Sequence, residues 1–187
     1  MKRLHLLFFL VLSLFFVACD SGESGDEDGS ENTEEEINDS EATGPDQDEA
    51  IAWNDELVDL DQAAYDALIA YESAIYDGSM DTINMMAAVV EARIEEGFTF
   101  LVSSDEAFDG SFKNAGMEMF DAYVVSYEEH MPVMVEYWTT PYEDVNEDLE
   151  AAEQEAYDAM WALIEEKSDV FIEAQEEFAN EYNFILE

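Results

Sequence analysis

From about residue 48 onward, apolar side chains recur every three or four positions. Leu57, Leu60, Ala64, Leu68, Tyr71 and Ile75 step by 3, 4, 4, 3 and 4, which places them on one face of a helix. Asp77-Gly78 reads as a helix stop and Ser79 as the next cap. Met80, Ile83, Ala87, Val90, Ile94, Phe98 and Leu101 then repeat the stripe. Gly97 interrupts it, consistent with a bend or a close helix contact. The stretch 103–110 reads as a loop. A third helix is expected from Ser111, with Phe112, Gly116, Phe120, Tyr123, Tyr127, Met131, Met134 and Trp138 on one side. Pro132 should kink or break it, because proline lacks an N–H and clashes with the preceding turn.

A fourth helix is expected over roughly 142–182. Leu149, Ala152, Ala156, Met160, Leu163, Phe171, Ala174, Phe178 and Tyr182 lie near one face, and Lys167 occupies the missing stripe position. At about 1.5 Å per residue this helix would reach ~60 Å against ~35–45 Å for the others. Either it projects past its neighbours or it breaks near 166–169. No alternating strand pattern competes. The expected fold is all-α: an antiparallel up-down-up-down four-helix bundle with a long C-terminal helix, over residues 47–187.

The pattern changes at the other end of the chain. Met1-Lys2-Arg3 is followed by an almost wholly apolar run from Leu4 to Ala18. That run is shorter than the ~20 residues a membrane-crossing helix needs, and a basic start with a short apolar core describes a secretory signal peptide over 1–18. Phe16-Val17-Ala18-Cys19 resembles a bacterial lipobox, with Phe where Leu is more usual. The resemblance implies lipidation of Cys19, the only cysteine in the chain, and so a membrane anchor. One acyl chain anchors only marginally, while two or more hold stably.

Residues 19–46 carry one isoleucine, no aromatic and no basic residue. Such a segment cannot bury enough apolar surface to offset its ordering entropy, and it is expected to be a disordered tether of roughly 30 Å. Asp26-Glu27-Asp28-Gly29-Ser30 fails as a calcium loop, since position 6 would be Glu31 instead of glycine. Asp20, next to the cysteine, resembles an inner-membrane retention signal under one sorting rule and a surface-export signal under another. An outer-membrane or cell-surface location is the favoured expectation.

Charge narrows the function classes. The chain of 187 residues has 49 acids, 5 lysines and arginines, and a formal net charge of −44. All the acids follow Cys19, where only Arg93, Lys113 and Lys167 oppose them. Such a surface repels nucleic-acid phosphates and anionic headgroups. Nucleic-acid binding is not expected, and a charged partner should be cationic: a protein with a basic surface, or weakly held divalent cations. The acidity has two readings. One is a solvated, salt-adapted surface, whose self-repulsion fades as the Debye length shrinks to ~3 Å at 1 M. The other is calcium capture, with Glu147, Asp148, Glu150, Glu153 and Glu155 as the candidate carboxylates.

No catalytic constellation stands out, and neither a catalytic role nor a cofactor is expected. A di-iron bundle needs paired Glu-x-x-His motifs. His130, the one histidine after Cys19, has Tyr127 three residues before it, and it reads as an ordinary helix residue. Zinc sites need several His or Cys ligands. Phosphate-binding loops, dinucleotide fingerprints and nucleophile elbows do not occur in the sequence. Among 49 acids, some suitably spaced pair is inevitable, so carboxylate spacing alone is uninformative. The methionines, Met85, Met86, Met117, Met119, Met131, Met134 and Met160, read mainly as gap-fillers in the core, with a pliable groove as the alternative. Trp53, Trp138 and Trp161 are expected to be packed.

Three patches resemble a family of leptospiral-type surface lipoproteins of unknown function. The first holds Trp53-Asn54-Asp55, Leu57-Val58 and Gln62. The second runs over 108–123 and the third over 171–186. The resemblance implies a helical domain on a lipid anchor with no assigned catalytic residues. The present chain departs from it in having acids where lysines would be expected.

Overall fold

The computed structural model describes residues 44–186; Cys19, the signal peptide and nearly all of the tether lie outside the described residues. The described chain is all-α. Helix α1 spans Gln47–Asp77, α2 Met80–Ser103, α3 Ser111–Val125, α4 Met131–Thr139 and α5 Glu147–Glu181. A single π turn, Ser126–His130, joins α3 to α4, so the two form the third rod of an antiparallel four-helix bundle. Two short 3-10 turns, Glu106–Phe108 and Tyr142–Asp144, lie in the connections.

Local chemistry sets most of the boundaries. Asp46 accepts from the Glu49 N–H while the Glu49 side chain reaches back to the Asp46 N–H, a reciprocal cap that satisfies two otherwise unpaired donors. Gly78 ends α1 at φ 68°, a left-handed conformation that glycine adopts without a Cβ penalty. The fourth rod begins later than the periodicity suggests. Pro141 and the 3-10 turn take up 142–144, and Asn146 caps α5 by accepting from the Leu149 N–H.

α5 is unbroken through 166–169. Its 35 residues make it ~52 Å long, against ~46 Å for α1. Lys167, the gap in its apolar stripe, donates to Glu118 on α3 at 3.0 Å, so the seam is closed there by an ion pair. Pro132 does not break the third rod either. It sits in the first turn of α4, where a missing N–H is tolerated. The wider π turn immediately before it carries the ladder, with Met131 N–H donating to Ser126 O.

The core runs the length of the bundle. Leu57, Leu68, Ile75, Ile83, Leu101, Phe112, Phe120, Met131, Met134 and Met160 are all fully buried. α2 and α3 approach closely at Gly97, where an added Cβ would come within 2.1 Å of the Phe120 ring. Chain ends pair as the up-down order requires. Gln47, opening α1, donates to the Asn183 carbonyl beyond α5 at 2.5 Å, while Tyr76, closing α1, meets Trp138, closing α4.

Candidate functional site

At the end where α1 starts, the apolar stripes deliver an aromatic cluster. Trp53 stacks on Phe108 at 5.0 Å and contacts Phe112 and Phe178 at 5.6 and 5.4 Å. Its indole N–H donates to Ser104 Oγ at 2.9 Å, and Ser104 in turn donates to the Phe100 carbonyl. Asn54, buried beside it, accepts from Gln175 of α5. Every polar group named here has a partner inside the fold, and the cluster reads as packing.

In the middle of the bundle Tyr123 donates its hydroxyl to Asp61 Oδ1 at 2.9 Å. Burial pushes the Asp61 carboxyl up to about 6, against the opposing effect of that hydrogen bond. Burial, then the Asp61 charge, pushes the Tyr123 hydroxyl up as well. A carboxyl so raised could exchange protons near neutrality. The open groove between α1 and α2, about 680 Å³, is lined by Glu56, Leu60, Arg93, Glu95, Glu96 and Phe100 among others, without Asp61. The pair thus reads as an interior polar contact.

The opposite end, where α1 and α4 finish, differs. Tyr76 donates to Glu72 Oε1 at 2.6 Å, and Trp138 donates its indole N–H to Glu153 Oε1 at 3.2 Å. The two rings meet edge-to-face at 5.0 Å. Glu153 is buried. Glu72 is raised above the ordinary carboxylate range chiefly by burial, with a further push from the Glu153 charge. Burial and the Glu72 carboxylate likewise raise the Tyr76 hydroxyl.

These placements revise several sequence expectations. Glu147, Asp148, Glu150 and Glu155 stay exposed while Glu153 turns inward to Trp138, so the five acids are not brought together. Among the described residues, no group of three or more His, Cys, Asp or Glu side chains is placed to hold a metal ion. Trp138 is not packed as expected: the residue is 42% exposed because it closes α4 at the rim of the bundle. Met85 and Met80 also face solvent, whereas Met119, Met131, Met134 and Met160 are core. Trp161 packs edge-to-face on Tyr65 and Tyr157, but its indole N–H and the buried Ser126 hydroxyl have no hydrogen-bond partner. His130 is half-buried at the end of the π turn.

Sequence reading missed the pairing of Glu72 and Glu153 with the rim aromatics. The i,i+4 spacing of Glu72 and Tyr76 was the available signal. Among the described residues, no helix is long and apolar enough to cross a membrane. No protein-family model, curated protein or solved structure matches the chain.

Proposed function

We propose that the chain is a bacterial envelope lipoprotein, held at the outer membrane or cell surface by lipid on Cys19. It presents an acidic helical bundle to cationic partners and acts by contact, without catalysis. The observation that carries this reading is Phe16-Val17-Ala18-Cys19, a lipobox-like seam between an apolar leader and an acidic segment, holding the chain's only cysteine. The likeness of three patches to leptospiral-type surface lipoproteins points the same way. The charge suits display in saline surroundings, where screening relieves self-repulsion.

The test is metabolic labelling with palmitate, followed by membrane fractionation. Label should enter the wild-type chain and be absent from Cys19→Ala, and Cys19→Ala should move to the soluble fraction. An unlabelled wild type, or a Cys19→Ala chain that still sediments with membranes, rejects the anchor.

A further inference from the structure

The end of the bundle formed by the α1–α2 and α4–α5 connections carries a set of side chains unlike the rest of the surface. Tyr142 is 93% exposed, Met80 47%, Trp138 42% and Tyr76 40%. They share this end because the Tyr76–Trp138 ring contact ties the close of α1 to the close of α4. Met80 lies just past the Gly78 turn, and Tyr142 lies just past Pro141. Aromatic residues and methionine are the types enriched where proteins meet proteins.

Two of the four are fixed in place. Glu72 holds the Tyr76 hydroxyl and Glu153 holds the Trp138 indole N–H. Trp138 has its indole N–H engaged by a buried carboxylate, Tyr76 has its hydroxyl held by Glu72 along the surface of α1, and each residue stays partly in water, so both rings have less side-chain freedom to lose on binding. The carboxylates behind the rings make this face a strong attractor of cations, adding to the pull of each ring's own quadrupole. Among the described residues at this end, no lysine or arginine balances them: residues 66–92 and 128–152 contain none, while Asp77, Asp81, Glu136 and Glu143 are exposed.

We propose that this end face is a docking surface for a polypeptide that presents arginine beside apolar side chains, the guanidinium lying against Trp138 and Tyr76. The inference deepens the proposed function by naming the contact surface. Its display at the envelope rests on the Cys19 anchor of the proposed function. The surface itself does not depend on that anchor.

The test uses the unlipidated chain from Cys19 to Glu187 and a synthetic peptide of arginine and leucine, at about 150 mM salt so that long-range attraction to the tether is screened. Calorimetry should show saturable binding, and tryptophan emission should change with it. The paired substitutions Met80→Ala and Tyr142→Ala, which remove the apolar side chains offered beside Trp138 and Tyr76, should weaken binding about tenfold. The pair Val102→Ala and Ile185→Ala, also highly exposed but placed toward the other end, should leave affinity within about twofold. Absence of saturable binding, equal loss in both pairs, or full competition by polylysine of equal charge would overturn the proposal. The last two would reduce the interaction to general attraction between polyions. Because no lipid is present, failure here leaves the palmitate result untouched, and failure of the anchor leaves this binding test untouched.

Discussion

Gly97 shows how a single missing methyl group sets helix spacing. On an exposed helix, glycine to alanine gains up to about 1 kcal/mol from propensity. At Gly97 the new Cβ would clash with the edge of the Phe120 ring at 2.1 Å, and Phe120 is itself fully buried and packed against Phe98 and Tyr123. Overpacking of this kind costs about 1–3 kcal/mol and should win, so Gly97→Ala is expected to lower the urea midpoint. Gly116 is the contrast. Its added Cβ would meet Leu57 and Leu101 side chains at 3.3 Å, tight contacts that small shifts relieve, and Gly116→Ala should be close to neutral in the same measurement. Asp61 makes a second residue-scale prediction. Its carboxyl titrates near 6 in the fold and near 4 in the unfolded chain. The folded state therefore binds more protons between those values, and stability falls as pH rises through that window. Asn at 61 keeps an oxygen to accept from Tyr123 and carries no charge. Asp61→Asn should thus be more stable than wild type by about 1–2 kcal/mol at pH 7, with the gain disappearing near pH 4. Paired denaturant curves at the two pH values check this, and a gain that persists at pH 4 would reject burial of the charge as its source.

At the scale of the element, the boundaries legible in sequence were those set by neighbours a few residues apart. Asp77-Gly78-Ser79 and Ser111 fall where the periodicity placed them, because a left-handed glycine and the close of a loop act locally, although Ser79 holds the cap position without a side-chain hydrogen bond. The start of α5 was less legible. Its apolar stripe continues the helical period back toward 142, but Pro141 and the Asn146 cap hold the first turn at Glu147. Replacing Asn146 with alanine should cost about 1 kcal/mol, measured by urea unfolding, and should fray only the first turn. The rim site was mostly illegible. Tyr76 falls beside the α1 stripe, and Trp138 looked like one more core position at the end of its own. What exposes them is where each helix stops relative to its neighbours, and periodicity along one helix does not encode that. Glu153 is a similar case, since its partner Trp138 lies on the other side of a chain reversal. Lys167 appeared as a fault in the α5 stripe, and its ion pair with Glu118 shows how the helix passes 166–169 without breaking. Amide exchange across those four residues should accordingly be as slow as in the turns on either side. Fast exchange confined to them would place a break there after all.

For the whole molecule, the question is what a net charge of −44 does to a chain whose apolar core is otherwise ordinary. Like charges three or four residues apart on a helix each cost a few tenths of a kcal/mol when unscreened. Stretches such as Glu147, Asp148, Glu150 and Glu165, Glu166, Asp169 repeat that arrangement. Opposing attractions are few. The ion pairs among the described residues are those of Arg93, Lys113 and Lys167 with nearby acids. Repulsion should therefore dominate the electrostatics of folding at low ionic strength, and it should weaken as the Debye length falls to ~3 Å near 1 M salt. The melting temperature of the unlipidated chain, followed by circular dichroism, is expected to rise by several degrees between low salt and molar sodium chloride, since ~1 kcal/mol moves a domain of this size by roughly 2–4 °C. Millimolar calcium should add no more than its own ionic strength does, because the candidate acids of α5 do not converge on one point. Calcium stabilisation well beyond matched sodium chloride would mean that the folded state binds the ion selectively. The acidity would then be read as a means of holding cations instead of a means of staying folded in brine.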